Sequence, residues 1–174
     1  MMMGFFQIGC SEPCMHYLSI LLTLPLLGAA AILLLPSSGA RLIRWMALSV
    51  TAVTLLFSLW LAAGFDPGSA ALLYFESHRW NPRLGATFSL GVDGFSLPMV
   101  VLATLLSFIA VLASGSIRER LKGYYFLLLL LETAMLGVFT AQDWALFYVF
   151  WELTLLPLFF LIDRWGAQTG KARR

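Results

Sequence analysis

Apolar residues run along this chain in long unbroken blocks, and short stretches between the blocks hold nearly all of its charge. A helix needs about 20 apolar residues to cross a bilayer core of about 30 Å. Five blocks reach that length: residues 16–35, 42–64, 96–115, 123–141 and 144–162. Pro36-Ser-Ser-Gly39 stops the first, and Asp66-Pro67-Gly68 stops the second, both turn-forming sequences. The longest connection, residues 65–95, has strand-like stretches at 71–76 and 87–92 around Asn81-Pro82. It predicts a short surface hairpin. The pattern as a whole predicts an all-α membrane protein with five transmembrane helices and no soluble domain between them.

Composition agrees. Hydrophobic residues make up 60% of the 174 positions and charged residues only 11%, against about a quarter charged in soluble domains. The net charge of +2 matters less than its placement. Arg41, Arg44, Arg118, Arg120, Lys122, Arg164, Lys171, Arg173 and Arg174 fall on one side if five spans alternate. Only Arg79 and Arg83 fall on the other, with Asp66, Glu76, Asp93 and Asp143. The positive-inside rule then places the N-terminus outside and the C-terminus, with a basic tail at 167–174, in the cytoplasm. Met15 opens a stretch that reads as a natural N-terminus. Residues 1–14 are then an added leader or an upstream start, before a transmembrane domain at 15–166.

Two carboxylates break the pattern. Glu132 lies midway along the fourth block and Glu152 midway along the fifth. A charge at bilayer mid-depth costs about 2.5–3.5 kcal/mol on insertion scales. About a dozen strongly apolar neighbours at roughly −0.3 to −0.6 kcal/mol each still carry the fifth span into the membrane. Its carboxylate must then face protein or water rather than lipid. Gln142-Asp143 leaves only a tight turn between the two spans, so they form an antiparallel hairpin. Both acids then lie about 15 Å from the same surface. Acids at equal depth can hold or relay a proton, each opposing ionisation of the other where they are close. The alternative is a protonated, hydrogen-bonded contact between helices with no role in transport.

The neighbours of Glu152 extend this reading. Tyr148 lies one turn earlier on the same face and can donate a hydrogen bond. Pro157 lacks an N–H, so the Leu153 carbonyl loses its helical partner. That carbonyl either gathers water beside the acid or marks a kink of the kind membrane helices tolerate. Asp93, in Gly91-Val-Asp-Gly94, reads as a turn and cap for the helix beginning near Ser96, and Asp143 reads the same way. Trp45, Trp60, Trp80, Trp144 and Trp165 fall near span ends, as an interfacial belt. Trp151 is the exception, expected to pack against a neighbouring helix. Cys10 and Cys14 have no accompanying ligand cluster, so no metal site is expected. No nucleotide loop, flavin motif, haem pair or iron–sulfur cysteine set occurs. Redox chemistry and nucleic-acid binding are therefore not expected of this chain.

Three stretches resemble a known family: FSLGVDGFSLPMVVLATLL (88–106), YYFLLLLLETAMLGVFTAQD (124–143) and LFYVFWELTLLPLFFLIDRWG (146–166). They are similar to the M-type antiporter-like membrane subunits, chain four, of proton-translocating NADH:quinone oxidoreductase (respiratory complex I). The resemblance implies the N-terminal part of a fourteen-helix antiporter-like fold in a bacterial inner membrane. It implies proton transfer through Glu152, with Glu132 as a second proton-transfer residue and a lysine on a later helix as counterpart. This chain has only Lys122 and Lys171, both outside the expected membrane core. The implied partners are other membrane subunits of complex I and the lipid bilayer. NADH, FMN, iron–sulfur clusters and quinone would reside in partner subunits, so the chain would not be catalytic alone. Two alternatives stay open: a multisubunit cation/proton antiporter subunit, and a non-conducting truncated remnant.

Overall fold

The computed structural model describes residues 16–36, 39–65, 73–81, 86–117 and 119–166. The leader with Cys10 and Cys14, the tail from residue 167, Asp66-Pro67-Gly68, Pro82, Arg83 and Arg118 lie outside the described residues. Five helices form: α1 (Tyr17–Leu34), α2 (Ala40–Ala63), α3 (Ser96–Ala113), α4 (Leu121–Thr140) and α5 (Trp144–Leu161). Every boundary falls within two residues of the expected span. All five are long and apolar enough to cross a membrane. Two strands, β1 (Leu73–Asn81) and β2 (Ala86–Val92), pair as the expected antiparallel hairpin. β1 runs further than anticipated, to Asn81 rather than residue 76.

α4 is the central helix and packs against α1, α2, α3 and α5. α2 packs between α1 and α3, while α5 leans on α4 and touches β2. One core layer gathers Leu18, Leu21, Leu61, Val100 and Leu136 below the hairpin. A second gathers Ala29, Ile32, Ile43, Tyr125 and Leu129 at the opposite end. Small residues let the backbones approach, as in other membrane bundles. A Cβ at Gly28 would sit 2.7 Å from Val50, and one at Gly137 would enter the ring of Phe150. The hydroxyls of Ser58 and Thr104 share a 2.8 Å hydrogen bond that ties α2 to α3. The outer surface is apolar, with Leu34, Leu56 and Phe159 among its exposed side chains. Water would penalise so continuous a patch, whereas lipid does not.

The hairpin closes one end of the bundle. β1 carries one extra residue between the pairs Leu73–Val92 and Glu76–Leu90. Tyr74 takes φ 56° at this bulge, a conformation rare outside glycine. Bulges re-aim side chains, and here both neighbours of the bulge serve α1. The Tyr74 ring meets Tyr17 edge-on at 5.6 Å. Glu76, almost fully buried, reaches the start of the same helix. The turn between α4 and α5 then joins the edge of β2. The Gln142 N–H donates to the Ser89 carbonyl at 2.9 Å, and Gln142 Nε2 to the Gly91 carbonyl at 3.1 Å.

Candidate proton-handling site

The two mid-membrane acids occupy different surroundings. Glu132 is 0% exposed. Neither of its carboxyl oxygens meets a hydrogen-bond partner among the described residues. Buried threonines on α2, α3 and α4 commit their hydroxyls to their own helices. Thr133 donates to the Leu129 carbonyl at 3.0 Å, Thr54 to that of Val50 at 2.9 Å and Thr104 to that of Val101 at 2.9 Å. A buried acid with no partner is costly when charged and still costly when neutral.

Glu152 is exposed on the outer face of α5. Tyr148, 60% exposed, lies one turn before it, close enough for its hydroxyl to engage the carboxylate. Leu155 and Phe159 continue the same stripe, so this face of α5 meets no other helix of the described chain. The opposite face, Leu146, Phe150 and Pro157, is buried toward α4. α5 stays continuous through Pro157. Trp151 is half-exposed and stacks on Phe147 of its own helix, 6.0 Å between centroids.

Helix geometry explains why the acids do not meet. Gly137 and Phe150 mark the contact between α4 and α5. Glu132 lies five residues before Gly137, about 140° round its helix, and Glu152 lies about 200° round from Phe150. Equal depth along the hairpin therefore comes with opposite facing. One acid is enclosed by the bundle, and the other is presented outward.

Three further carboxylates organise the end of the bundle that holds the hairpin. Asp93 Oδ1 accepts from the Ser96 N–H at 2.6 Å and the Phe95 N–H at 3.0 Å, and Ser96 Oγ accepts from the Asp93 N–H at 3.0 Å. This reciprocal pair has the form of a capping box and fulfils the expected cap. Asp143 Oδ1 accepts from the Ala145 N–H at 2.8 Å, while Oδ2 accepts from the Thr87 N–H at 3.2 Å and hydroxyl at 3.1 Å. It caps α5 and fastens that helix to β2. The third, Glu76, carries a role the sequence reading missed. Its Oε1 accepts from the Leu18 N–H at 2.8 Å, its Oε2 meets the Ser19 hydroxyl, and His16 Nδ1 lies 3.6 Å away. These bonds serve the free N–H groups and the positive dipole end of α1. The available signal was a pairing: α1 opens without Ser, Thr, Asp or Asn at its cap, and the hairpin holds a single acid.

The Ser96 N–H, above all, holds the Asp93 carboxyl below the usual carboxylate range. The Thr87 N–H, followed by that of Ala145, does the same for Asp143. Folding thus favours the charged forms. Their stabilising contribution is complete above the unfolded-state pKa and is lost as pH falls through the lowered folded-state value. Asp143→Asn is expected to flatten the acid limb of a melting-temperature profile. A variant whose acid limb superimposes on the parent's would show that the cap adds nothing.

Five membrane-length helices, the last two each with an acid midway along, make up the bundle, and it has known relatives. Residues 141–173 match the family described as NADH:quinone oxidoreductase/Mrp antiporter, TM. NADH-quinone oxidoreductase subunit M of Rhodobacter capsulatus is 41% identical over 163 residues, 91% of this chain and 31% of that protein. NAD(P)H-quinone oxidoreductase chain 4-3 of a Nostoc strain is 37% identical over 155 residues, 87% of this chain and 27% of that protein. The resemblance to M-type, chain-four subunits therefore holds along nearly the whole chain. The chain spans less than a third of the length of either relative. A solved archaeal respiratory membrane complex, the membrane-bound sulfane sulfur reductase, contains the same fold. Its matching chain has a TM-score of 0.68 and 23% identity, over 86% of this chain and 23% of that one.

Proposed function

We propose that this chain serves in the membrane arm of a proton-translocating NADH:quinone oxidoreductase, where Glu152 takes up and releases protons. The observation that carries this reading is the stripe Tyr148–Glu152–Leu155–Phe159, with an acid midway along a membrane helix and no helix of the described chain over it. An ionisable group at that depth requires a polar or protein-lined surrounding. Further helices, in the same polypeptide or in other subunits, supply the cover and a basic counterpart. Lys122 does not serve, because its ammonium donates to the Leu33 carbonyl at the far end of the bundle. NADH, FMN, iron–sulfur clusters and quinone belong to the other subunits. A cation/proton antiporter is the second reading, since the matched family description covers both kinds of protein.

Purification of the tagged chain from its native membrane separates the two. Dehydrogenase subunits in the eluate support the first reading, and antiporter subunits alone support the second. A stable, unaccompanied monomer overturns both. The same membranes test orientation. With Cys10 and Cys14 replaced by serine, Glu119→Cys is expected to be shielded from an impermeant thiol reagent in intact cells. Asn81→Cys is expected to react. The reverse pattern overturns an outside N-terminus and a cytoplasmic C-terminus.

A further inference from the structure

At the end of the bundle away from the hairpin, a cavity of about 650 Å³ opens where α2 starts, α3 ends and α4 starts. Its wall has two halves. The polar half is basic: Arg41 is exposed at the mouth and Arg44 is half-buried behind it. Arg44 Nη2 donates to the Ile117 carbonyl at 2.5 Å, while its Nε is buried and meets no acceptor among the described residues. That buried N–H lacks an acceptor, and the guanidinium keeps its full positive charge beside the cavity. The start of α2 also lines the cavity at Ala40, and no side chain caps it among the described residues. Its positive dipole end adds to the two arginines. Among the described residues, no carboxylate lines the cavity.

The other half is apolar. Trp45 and Leu112, both more than half exposed, stand with Leu48 on the outer surface of the described bundle. A free phosphate has no use for such a wall, whereas a molecule with a phosphate at one end and hydrocarbon at the other uses both halves. Basic clefts between membrane helices at a charged surface have this character.

We propose that this cavity binds an anionic phospholipid. The phosphodiester lies between Arg41 and Arg44, and an acyl chain lies along Leu48 and Leu112. A net negative headgroup is favoured over a zwitterionic one, because the described lining holds two arginines and no acid to pair with a headgroup ammonium. Nothing in this inference depends on proton transfer at Glu152.

The test uses the chain as extracted, with whatever subunits accompany it, stripped of lipid by detergent exchange and titrated by native mass spectrometry. Phosphatidylglycerol is expected to bind the parent. Arg41→Gln is expected to weaken that binding about tenfold, the equivalent of one charge-assisted hydrogen bond. Arg41→Gln with Arg44→Gln is expected to abolish it. Arg44 also holds the Ile117 carbonyl, so its loss could loosen the fold. Arg41→Gln alone and the charge-preserving Arg44→Lys, which should retain most of the affinity, exclude that explanation. Unchanged binding in the double variant overturns the proposal. So does equal binding of phosphatidylcholine, or full competition by millimolar orthophosphate, which would make the cavity a site for the phosphate group alone.

Discussion

In the assembled complex, Glu152→Gln is expected to lower coupled proton translocation by about two orders of magnitude, the range associated with loss of a positioned proton-transfer group. Subunit content should not change. Glutamine keeps the shape and the hydrogen-bonding reach of the side chain but cannot take up or release a proton. The carboxylate lies on the outer stripe of α5, away from the Phe150 contact with α4. Replacing it therefore leaves the packing of the described chain untouched. Glu152→Asp should retain part of the rate, since a shorter acid still titrates. Tyr148→Phe should fall between parent and Gln, because the hydroxyl beside the carboxylate assists it without carrying the proton. Normal pumping by a complete complex bearing Glu152→Gln would make the carboxylate a structural contact, and the proposed role would fail.

Much of this architecture was legible in residue order. Continuous apolar blocks admit few arrangements in a membrane, because unsatisfied backbone groups in lipid leave only helices and closed barrels. That constraint put every span boundary within two residues of its observed place. Local chemistry was legible for the same reason: Asp93 and Asp143 cap helices that begin a few residues later, within reach of their own side chains. What sequence could not give was facing across long separations. Glu76 and Leu18 lie 58 residues apart, and it is the folded hairpin, bulged at Tyr74, that carries the acid to α1. Depth along a helix can be counted from a turn. Rotation about its axis depends on which neighbours pack against it, and Gly137 on Phe150 sets that for the α4–α5 pair. Hence residue counting from the turn bears only on the depth of Glu132 and Glu152, and their opposite facing emerged only from the packing.

That opposite facing gives Glu132 a test in which two measurements should move in different directions. Its side chain is fully buried, with both oxygens lacking hydrogen-bond partners among the described residues. A leucine of similar volume would remove an unsatisfied polar group whose burial costs about 1–3 kcal/mol. Glu132→Leu is therefore expected to raise the thermal stability of the purified complex. Were the acid only a packing element, activity would follow stability or stay level. If the enclosed carboxyl instead holds a proton in transit, translocation should fall while the melting temperature rises. Glu132→Gln keeps a buried polar group that cannot titrate. It should lower translocation without the gain in stability, and by less than Glu152→Gln if Glu152 is the main carrier. A Glu132→Leu complex that is both less stable and fully active would show that the carboxyl makes a favourable contact in the complete assembly. The enclosed acid would then have no part in proton transfer, leaving Glu152 to act alone.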